Sequence, residues 1–202
     1  MLKVGVLGST RGTDLQAIIN AIEGGTLEGV EISLVLSNRK DAGILKRASR
    51  HGLETIFLSP KNLDREAYDR RVDAEMKSRG VELILLIGYM KLMSEWFVNA
   101  WRNRAMNIHP SLLPAFAGGM DLNVHREVIL RGCKVSGATL IYIDEGADTG
   151  PIIDQGVVRI DKDETIDSLK EKVQRVEGEL LVKALANFRD GGLRTVRGST
   201  VF

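Results

Sequence analysis

The sequence predicts a doubly wound α/β fold whose sheet is mostly parallel. Apolar runs of strand length recur through the first half of the chain and alternate with segments of helical periodicity. The run at residues 83–87 is apolar at every position, which is typical of a strand covered by helices on both faces. After about residue 134, two strand-like segments follow each other with little room for a helix, which indicates an antiparallel pair at one end of the sheet.

Five apolar runs are interpreted as the strands of the parallel part, because they are short for buried helices. The first of them is also too short to span a membrane, and it lacks the features of a secretory signal. The runs cover residues 2–7, 32–36, 55–58, 83–87 and 105–108.

The remaining part of the chain is predicted to add two strands and one long helix. The strands cover residues 137–143 and 152–160, and the helix runs from about residue 165 to about residue 189. Thr165 is the predicted cap, and apolar residues three and four apart give this helix one face that can lie across the sheet. Because no repeat or linker interrupts the pattern, we expect one domain over residues 1–202, with the tail from residue 191 left unassigned.

The charge and the cysteine content limit which kinds of molecule the protein is expected to bind. With 28 basic and 27 acidic residues, the net charge of +1 provides no broad basic surface for nucleic acid or an anionic membrane. The single cysteine, Cys133, cannot form a disulfide within the chain, and the sequence contains no cluster with the spacing of a zinc site. We therefore expect a cytoplasmic protein that binds small molecules without a metal, as a monomer or a homodimer.

A loop that reads GSTRGTD follows the first predicted strand and opens a helix, at residues 8–14. Free amides at a helix start, helped by the helix dipole, form an anion site, and Arg11 would add a positive charge. The loop lacks the lysine of a Walker A motif and the glycine spacing of a dinucleotide site. We therefore predict that it binds a monophosphate. A plain turn is the alternative, and in either case we expect the carboxylate of Asp14 to turn into the helix cap.

Asn107 and His109 lie two residues apart at the carboxyl end of a predicted strand, so both side chains project to the same side. Ligands of open α/β sheets bind at that end of the strands. An asparagine amide can donate to an oxygen that gains negative charge, and a histidine can donate or accept a proton near neutral pH. Further along, Asp148 lies between small residues before a Gly-Pro turn, where it could reach a substrate or form part of a solvated loop.

The segment Asn-x-His-Pro-Ser-Leu-Leu-Pro at residues 107–114, followed by Asp-x-Gly-Pro at residues 148–151, resembles the signature of folate-dependent formyltransferases. The similarity extends over nearly the whole chain. Within the family, the chain is most similar to the branch that formylates glycinamide ribonucleotide in purine synthesis. The resemblance implies a Rossmann-like formyltransferase fold and transfer of the formyl group of 10-formyltetrahydrofolate to an amine.

The same resemblance implies roles for individual residues. Asn107 and protonated His109 would stabilise the oxyanion, and Asp148 would assist proton transfer. The substrate phosphate would bind at Arg11, Gly12, Thr13 and Asp14. Glu177 would contact the ribonucleotide amine or sugar, and Arg65 would lie near the folate; the alternative for both is a solvated charge on a helix surface. The pterin would be held by Met90, Lys91, Leu92, Met93, Ile143 and Asp144.

Several positions depart from the usual family pattern. Lys91 stands where an arginine is usual, Asp14 replaces an asparagine, and Ile141 occupies a place where a histidine is frequent. The loop at residues 117–125 is longer than is typical, and His125 beside it is expected either to line the site or to have a structural role at a helix start. The reaction type is therefore more firmly indicated than the acceptor.

Three alternatives remain open at this point. The acceptor could be another amine, such as initiator methionyl-tRNA or an amino sugar nucleotide, or it could be water, as in formyltetrahydrofolate hydrolysis. The tRNA enzyme is expected to carry an additional basic domain after the catalytic one, and the hydrolase a regulatory domain before it; neither is seen in these 202 residues. The third alternative is a nucleotide-binding module without catalysis, which would use only the glycine loop.

Overall fold

Within residues 1–119, 121–196 and 199–201, which the computed structural model describes, seven strands form one mixed sheet. The strands are β1 (Leu2–Leu7), β2 (Val30–Ser37), β3 (Thr55–Phe57), β4 (Leu83–Leu86), β5 (Ala105–His109), β6 (Val135–Tyr142) and β7 (Ile152–Arg159). Their order across the sheet is β3-β2-β1-β4-β5-β6-β7. The first five are parallel to one another, whereas β6 pairs antiparallel with both β5 and β7. The predicted mostly parallel α/β sheet with an antiparallel end is confirmed.

All seven predicted strands are present; β1 has the predicted bounds, and the ends of the other six differ from the predictions by one or two residues. The second strand begins at Val30 instead of residue 32, and the fifth extends through His109. Strand ends depend on pairing with neighbours, which the apolar pattern of one segment does not contain. For the site, the useful difference is that His109 is still part of β5 and is held by its pairing with Thr139 on β6.

Six helices of the described residues cover the two faces of this sheet. They are α1 (Thr13–Glu23), α2 (Gly43–Arg50), α3 (Arg65–Ser78), α4 (Glu95–Ala100), α5 (Asp121–Leu130) and α6 (Ile166–Arg189). Apolar residues of α1, α2, α5 and α6 join one core cluster, and those of α3 and α4 join the other. The strands supply both clusters by alternation: Leu83 and Leu85 of β4 face the first cluster, and Ile84 and Leu86 face the second.

Helix α6 starts where the sequence predicts. The side chain of Thr165 accepts a hydrogen bond from the backbone N–H of Ser168, and the Ser168 side chain completes a capping box. The helix crosses β6 and β7 and packs closely against α1. A side chain at Gly178 would place its Cβ 2.6 Å from the Cβ of Ala17, so a glycine is needed at this crossing. The close contact brings the neighbouring Glu177 to the edge of the sheet where α1 begins.

Past α6, a short hairpin forms from β8 (Arg194–Val196) and β9 (Ser199–Val201), in the tail that the sequence left unassigned. Met120 of the long loop, together with Arg197, Gly198 and Phe202 of the tail, lies outside the described residues. Within the part of the chain that is described, no helix has the length and apolar character needed to cross a membrane.

Replacing the α6 cap tests how much this helix start contributes to stability. Thr165→Ala removes the acceptor for the Ser168 N–H, and we expect it to lower the free energy of unfolding by about 1 kcal/mol. Urea denaturation followed by circular dichroism measures the change. Thr165→Ser keeps the hydroxyl and is the matched control, so an equal loss in both variants would show that the hydrogen bond is not the cause.

Candidate active site

A cavity of about 970 Å³ opens at the carboxyl ends of β1, β4 and β5. The chain order of the strands reverses between β1 and β4, and the connections from these two strands pass to opposite faces of the sheet, through α1 and α4. Such a reversal leaves a crevice between the diverging loops, which is the usual ligand site of an open α/β sheet. The loops after both strands line the cavity, and the middle of α6 closes one side.

The turn after β1 has the geometry of an anion site. Arg11, Gly12, Thr13 and Asp14 all line the cavity. Gly12 is the N-cap of α1 and has a left-handed backbone with φ of 65°, where a side chain would be strained and would also collide with Ile44. No side chain caps the helix start. The first N–H groups of a helix lack acceptors within it, and they are therefore available to a bound anion.

The expectation that Asp14 caps α1 is wrong. The helix begins at Thr13, one residue before Asp14, and the cap position belongs to Gly12. Because glycine adopts the left-handed conformation at no steric cost, the chain can enter the helix one residue earlier than an aspartate cap would require. Asp14 instead lies in the first turn of the helix, where the helix dipole favours a negative charge.

Asn107, His109 and Asp148 come together in the wall of the cavity. The Nδ2 of Asn107 donates to Oδ1 of Asp148 over 3.2 Å, and the Nδ1 of His109 lies 3.1 Å from Oδ2. The backbone N–H of Gly118 also donates to Oδ2, at 2.9 Å. Asp148 has a left-handed backbone with φ of 59°, which aspartate tolerates better than most residues. One carboxylate thus joins strand β5 and the loop that follows it to the loop of Asp148, which is distant in sequence.

Hydrogen bonds keep this carboxylate ionised although it is half-buried. Burial, the largest influence, would raise the pKa of Asp148, but the hydrogen bond and charge of His109 and the Gly118 N–H together hold it below its ordinary value. Both ring nitrogens of His109 face acceptors, since Nε2 lies 3.1 Å from the carbonyl oxygen of Phe116. These two contacts hold the imidazole ring in a fixed orientation beside the ionised Asp148.

The loop that leaves β5 is held by residues that the sequence reasoning missed. Thr139 on β6 donates from its hydroxyl to the carbonyl of Ser111 over 2.7 Å and accepts the N–H of Leu113 over 2.9 Å. Gln155 on β7 donates to the same Thr139 hydroxyl and to the carbonyl of Leu113. These bonds fix the loop that brings Phe116 to His109 and Gly118 to Asp148. Nothing in the local sequence signals them, because they join segments that are distant along the chain.

One end of the cavity, lined by residues 90–93, is more apolar. Met90 and Leu92 expose about two-fifths of their surface, at 39% and 43%, whereas Met93 is buried in the core. The predicted pterin residues Met90, Lys91, Leu92, Met93, Ile143 and Asp144 all line the cavity. Exposed apolar side chains at a concave surface are typical of a site for a flat aromatic ligand. The geometry of this end is suitable for a pterin, and its assignment to folate stays a prediction.

A hydrogen-bonded tyrosine pair supports that end of the cavity, and one of the two, Tyr89, lines it. The Tyr89 hydroxyl donates to the Tyr68 hydroxyl, which donates in turn to the carbonyl of Leu58, each over 3.2 Å. Burial raises the pKa of both phenols, so they remain neutral donors. The ammonium group of Lys91 lies 5.1 Å from the centre of the Tyr68 ring. The lysine that stands in place of the usual arginine is thus oriented by an aromatic face.

Helix α6 contributes polar residues to the cavity. Glu177, predicted from the family resemblance, is buried and lines the cavity together with Gln174 and Lys170. Lys170 was missed by the sequence reasoning, although the spacing of four and three residues places all three on one face of the helix. A lysine that exposes only 8% of its surface is unusual, and its position inside the cavity makes it a candidate for substrate contact.

Two other candidates lie elsewhere. Arg65 is the first residue of α3 and is not among the residues that line the cavity, so its contact with folate stays a prediction. His125 lies inside α5, fully buried and outside the cavity lining, which favours the structural alternative over a role in the site. Ile141, by contrast, does line the cavity.

Among the described residues, no group of three or more histidine, cysteine or acidic side chains is placed to hold a metal ion.

Comparison with known proteins identifies the family. Residues 2–185 match the family model described as Formyl transferase. The chain belongs to the formyl transferase family. The predicted family and the formyltransferase version of the α/β fold are therefore confirmed.

Relatives of this chain, and a solved structure of a similar protein, agree with the family model. Phosphoribosylglycinamide formyltransferase of Escherichia coli K12 is 34% identical over 194 residues, which cover 96% of this chain and 90% of that protein. The crystal structure of glycinamide ribonucleotide transformylase 1 from Symbiobacterium toebii superimposes with a TM-score of 0.93 at 34% identity, covering 100% of this chain and 94% of that one. The trifunctional purine biosynthetic protein adenosine-3 of Drosophila pseudoobscura pseudoobscura is 40% identical over 197 residues. Those residues are 96% of this chain but 14% of the length of that relative.

The hydrogen bonds to Asp148 predict how stability depends on pH. A carboxyl with a lowered pKa in the folded state contributes stability above its unfolded pKa, near 3.8, and loses that contribution as pH falls through the folded value. We expect the difference in unfolding free energy between the wild type and Asp148→Asn to shrink as the pH is lowered from about 6 to about 3. Urea denaturation across this range measures it. Asp163→Asn, which alters an exposed loop carboxylate, is the control, and an Asp148→Asn difference as flat as the control would contradict the prediction.

Proposed function

We propose that the protein transfers the formyl group of 10-formyltetrahydrofolate to the amine of glycinamide ribonucleotide in purine synthesis. The observation that carries the proposal is the meeting of Asn107, His109 and Asp148 around one carboxylate in the same cavity as the anion-binding turn. The Escherichia coli relative, which has nearly the same length as this chain, bears the name of that activity. The reagents are small molecules, and no step requires a metal ion.

The three side chains answer the chemical needs of acyl transfer to an amine. The amine nitrogen attacks the formyl carbon, a new C–N bond forms, and the carbonyl oxygen gains a negative charge. Asn107 and the imidazolium of His109 are the donors that would stabilise this oxyanion once the substrates displace the carboxylate from the Asn107 amide. The attacking nitrogen must then lose a proton, and N10 of the folate must gain one as the old C–N bond breaks. An ionised Asp148 is suited to relay this proton, directly or through water.

The two ends of the cavity divide the substrates between them. The first turn of α1 would bind the phosphate of the ribonucleotide, and Glu177 would contact its sugar or amine. The apolar end formed by residues 90–93 would hold the pterin, with Ile143 and Asp144 on the facing loop. This division places the acceptor amine and the formyl carbon between the two ends, which is where the catalytic side chains meet.

Loss of the proton-relaying carboxylate tests the proposal directly. We expect wild-type protein to produce formylglycinamide ribonucleotide, and Asp148→Asn to lower the rate by roughly two or more orders of magnitude. Asparagine keeps the size and tolerates the left-handed backbone, so the change removes the charge and little else. The assay follows the absorbance change as the folate loses its formyl group, with Asp163→Asn as the control.

The outcomes of this assay separate the alternatives. Equal rates in the wild type and in Asp148→Asn would remove Asp148 from the mechanism. Loss of the formyl group without formylation of the amine would identify water as the acceptor. No reaction with either protein would overturn the proposed acceptor and would direct the assay to other amines.

The oxyanion role of Asn107 gives a separate prediction. We expect Asn107→Ala to lower kcat by about two to three orders of magnitude, because the amide donor acts on charge that develops only in the transition state. The KM of the ribonucleotide should change little. Steady-state kinetics with both substrates varied measures the two parameters. Asn187→Ala near the far end of α6 is the control, and a change confined to KM would contradict an oxyanion role.

A further inference from the structure

The anion-binding turn is attached to α2 through two consecutive carbonyl groups. The backbone N–H of Ile44 donates to the carbonyl of Thr10 over 2.9 Å. The Nε of Arg47, one turn later on α2, donates to the carbonyl of Arg11 over 3.3 Å. Both bonds lie immediately before Gly12, the residue whose left-handed backbone turns the chain into α1. Helix α2 therefore holds the turn at the point where its direction changes.

Arg47 also reaches the other side of Gly12. Its Nη1 donates to Oε1 of Gln16 over 2.5 Å, and Gln16 is the fourth residue of α1. The amide nitrogen of Gln16 donates to Asn20 over 2.9 Å and lies 3.2 Å from Nε2 of His51. With its nitrogen engaged on that side, the Gln16 amide must present its oxygen to Arg47. One guanidinium thus bridges the turn and the helix that follows it.

Peptide geometry gives this bridge a consequence for ligand binding. A trans peptide is planar, so its C=O and N–H point in opposite directions. Holding the Arg11 oxygen toward α2 therefore turns the N–H of Gly12 away from α2. Tying Gln16 to the same guanidinium fixes the axis of α1 relative to the turn, and with it the directions of the N–H groups of Thr13 and Asp14. Arg47 itself is not among the residues that line the cavity, whereas Arg11, Gly12, Thr13 and Asp14 are.

We propose that Arg47, through its bridge between the Arg11 carbonyl and Gln16, is a positioning residue that fixes the backbone amides which bind the phosphate of the acceptor. The inference rests on the proposed function for the identity of that acceptor. Arg47 acts through the turn and does not touch the substrate. Its loss should raise the KM of a phosphorylated acceptor and leave kcat and the KM of the folate nearly unchanged.

A long-range effect of the Arg47 charge is the competing explanation, and Gln16 separates the two. Gln16→Leu removes one end of the bridge without changing any charge. If Arg47 acts by position, Gln16→Leu should weaken phosphate binding in the same direction as Arg47→Met, and the double variant should be little worse than either single one. If Arg47 acts by charge alone, Gln16→Leu should bind phosphate as the wild type does.

The experiment measures the affinity of inorganic phosphate and the KM of glycinamide ribonucleotide and of its riboside, which lacks the phosphate. We expect Arg47→Met to weaken binding of phosphate and of the ribonucleotide by about tenfold, and to leave the riboside unaffected. Arg47→Lys, which keeps the charge but cannot bridge both acceptors with a planar group, should recover only part of the loss. Arg50→Met removes a charge from an exposed position on the same helix and is the matched control. Urea denaturation of each variant confirms that it is folded.

Each outcome bears on one proposal. Equal phosphate affinity in the wild type, Arg47→Met and Gln16→Leu overturns the positioning role. So does a loss in Arg47→Met that Arg47→Lys restores completely while Gln16→Leu has no effect, because that pattern belongs to charge. Binding of inorganic phosphate by a wild type that formylates no ribonucleotide overturns the proposed function and leaves the role of Arg47 to be decided by the phosphate affinities.

Discussion

The reversal of strand order between β1 and β4 is the constraint on which the site depends. Two parallel strands lie side by side there, and their following helices leave in opposite directions, α1 to one face of the sheet and α4 to the other. The backbone amides at the start of α1 and the apolar loop after β4 therefore face each other across one crevice. The next strand, β5, ends beside this crevice with its two polar side chains. Every other feature of the cavity is added to these three strand ends.

The antiparallel end of the sheet contributes two parts of the site that the parallel strands do not: a hydroxyl that fixes the loop after β5, and a carboxylate. β6 pairs with β5 and presents Thr139, whose hydroxyl fixes the loop after His109. The connection from β6 to β7 then returns across the same edge and delivers Asp148. A helical crossover at this point would carry the chain to a face of the sheet instead. The short antiparallel connection is therefore the reason why a carboxylate can meet an amide and an imidazole from β5.

Much of this arrangement could be predicted from the sequence, because it depends on local patterns. The run at residues 83–87 indicates a doubly covered strand, and Thr165 before an amphipathic segment indicates a helix start; both are present. The clustering of Asn107 and His109 follows from their spacing in one strand. The resemblance to a known family supplied the link to Asp148, which spacing alone could not.

The features that escaped prediction depend on contacts between distant segments. The sequence predicts Asp14 as the cap of α1, because a carboxylate that faced a phosphate would repel it. Gly12 occupies that position instead, with a left-handed backbone packed against Ile44 of α2. Thr139 and Gln155 lie within strands, and the local sequence does not show that they form hydrogen bonds with the loop after β5. Lys170 reads as a surface charge of a helix, and only the crossing of α6 over the sheet shows that it is buried.

The left-handed backbone at Asp148 joins the chemistry of the site to its shape. Glycine fits this geometry but has no carboxylate, and asparagine fits it but carries no charge. Glutamate has the charge, but it seldom adopts the conformation and would push its carboxylate one carbon further into the crevice. The left-handed backbone therefore favours glycine, asparagine or aspartate at this position, and the need for a negative charge selects aspartate among them.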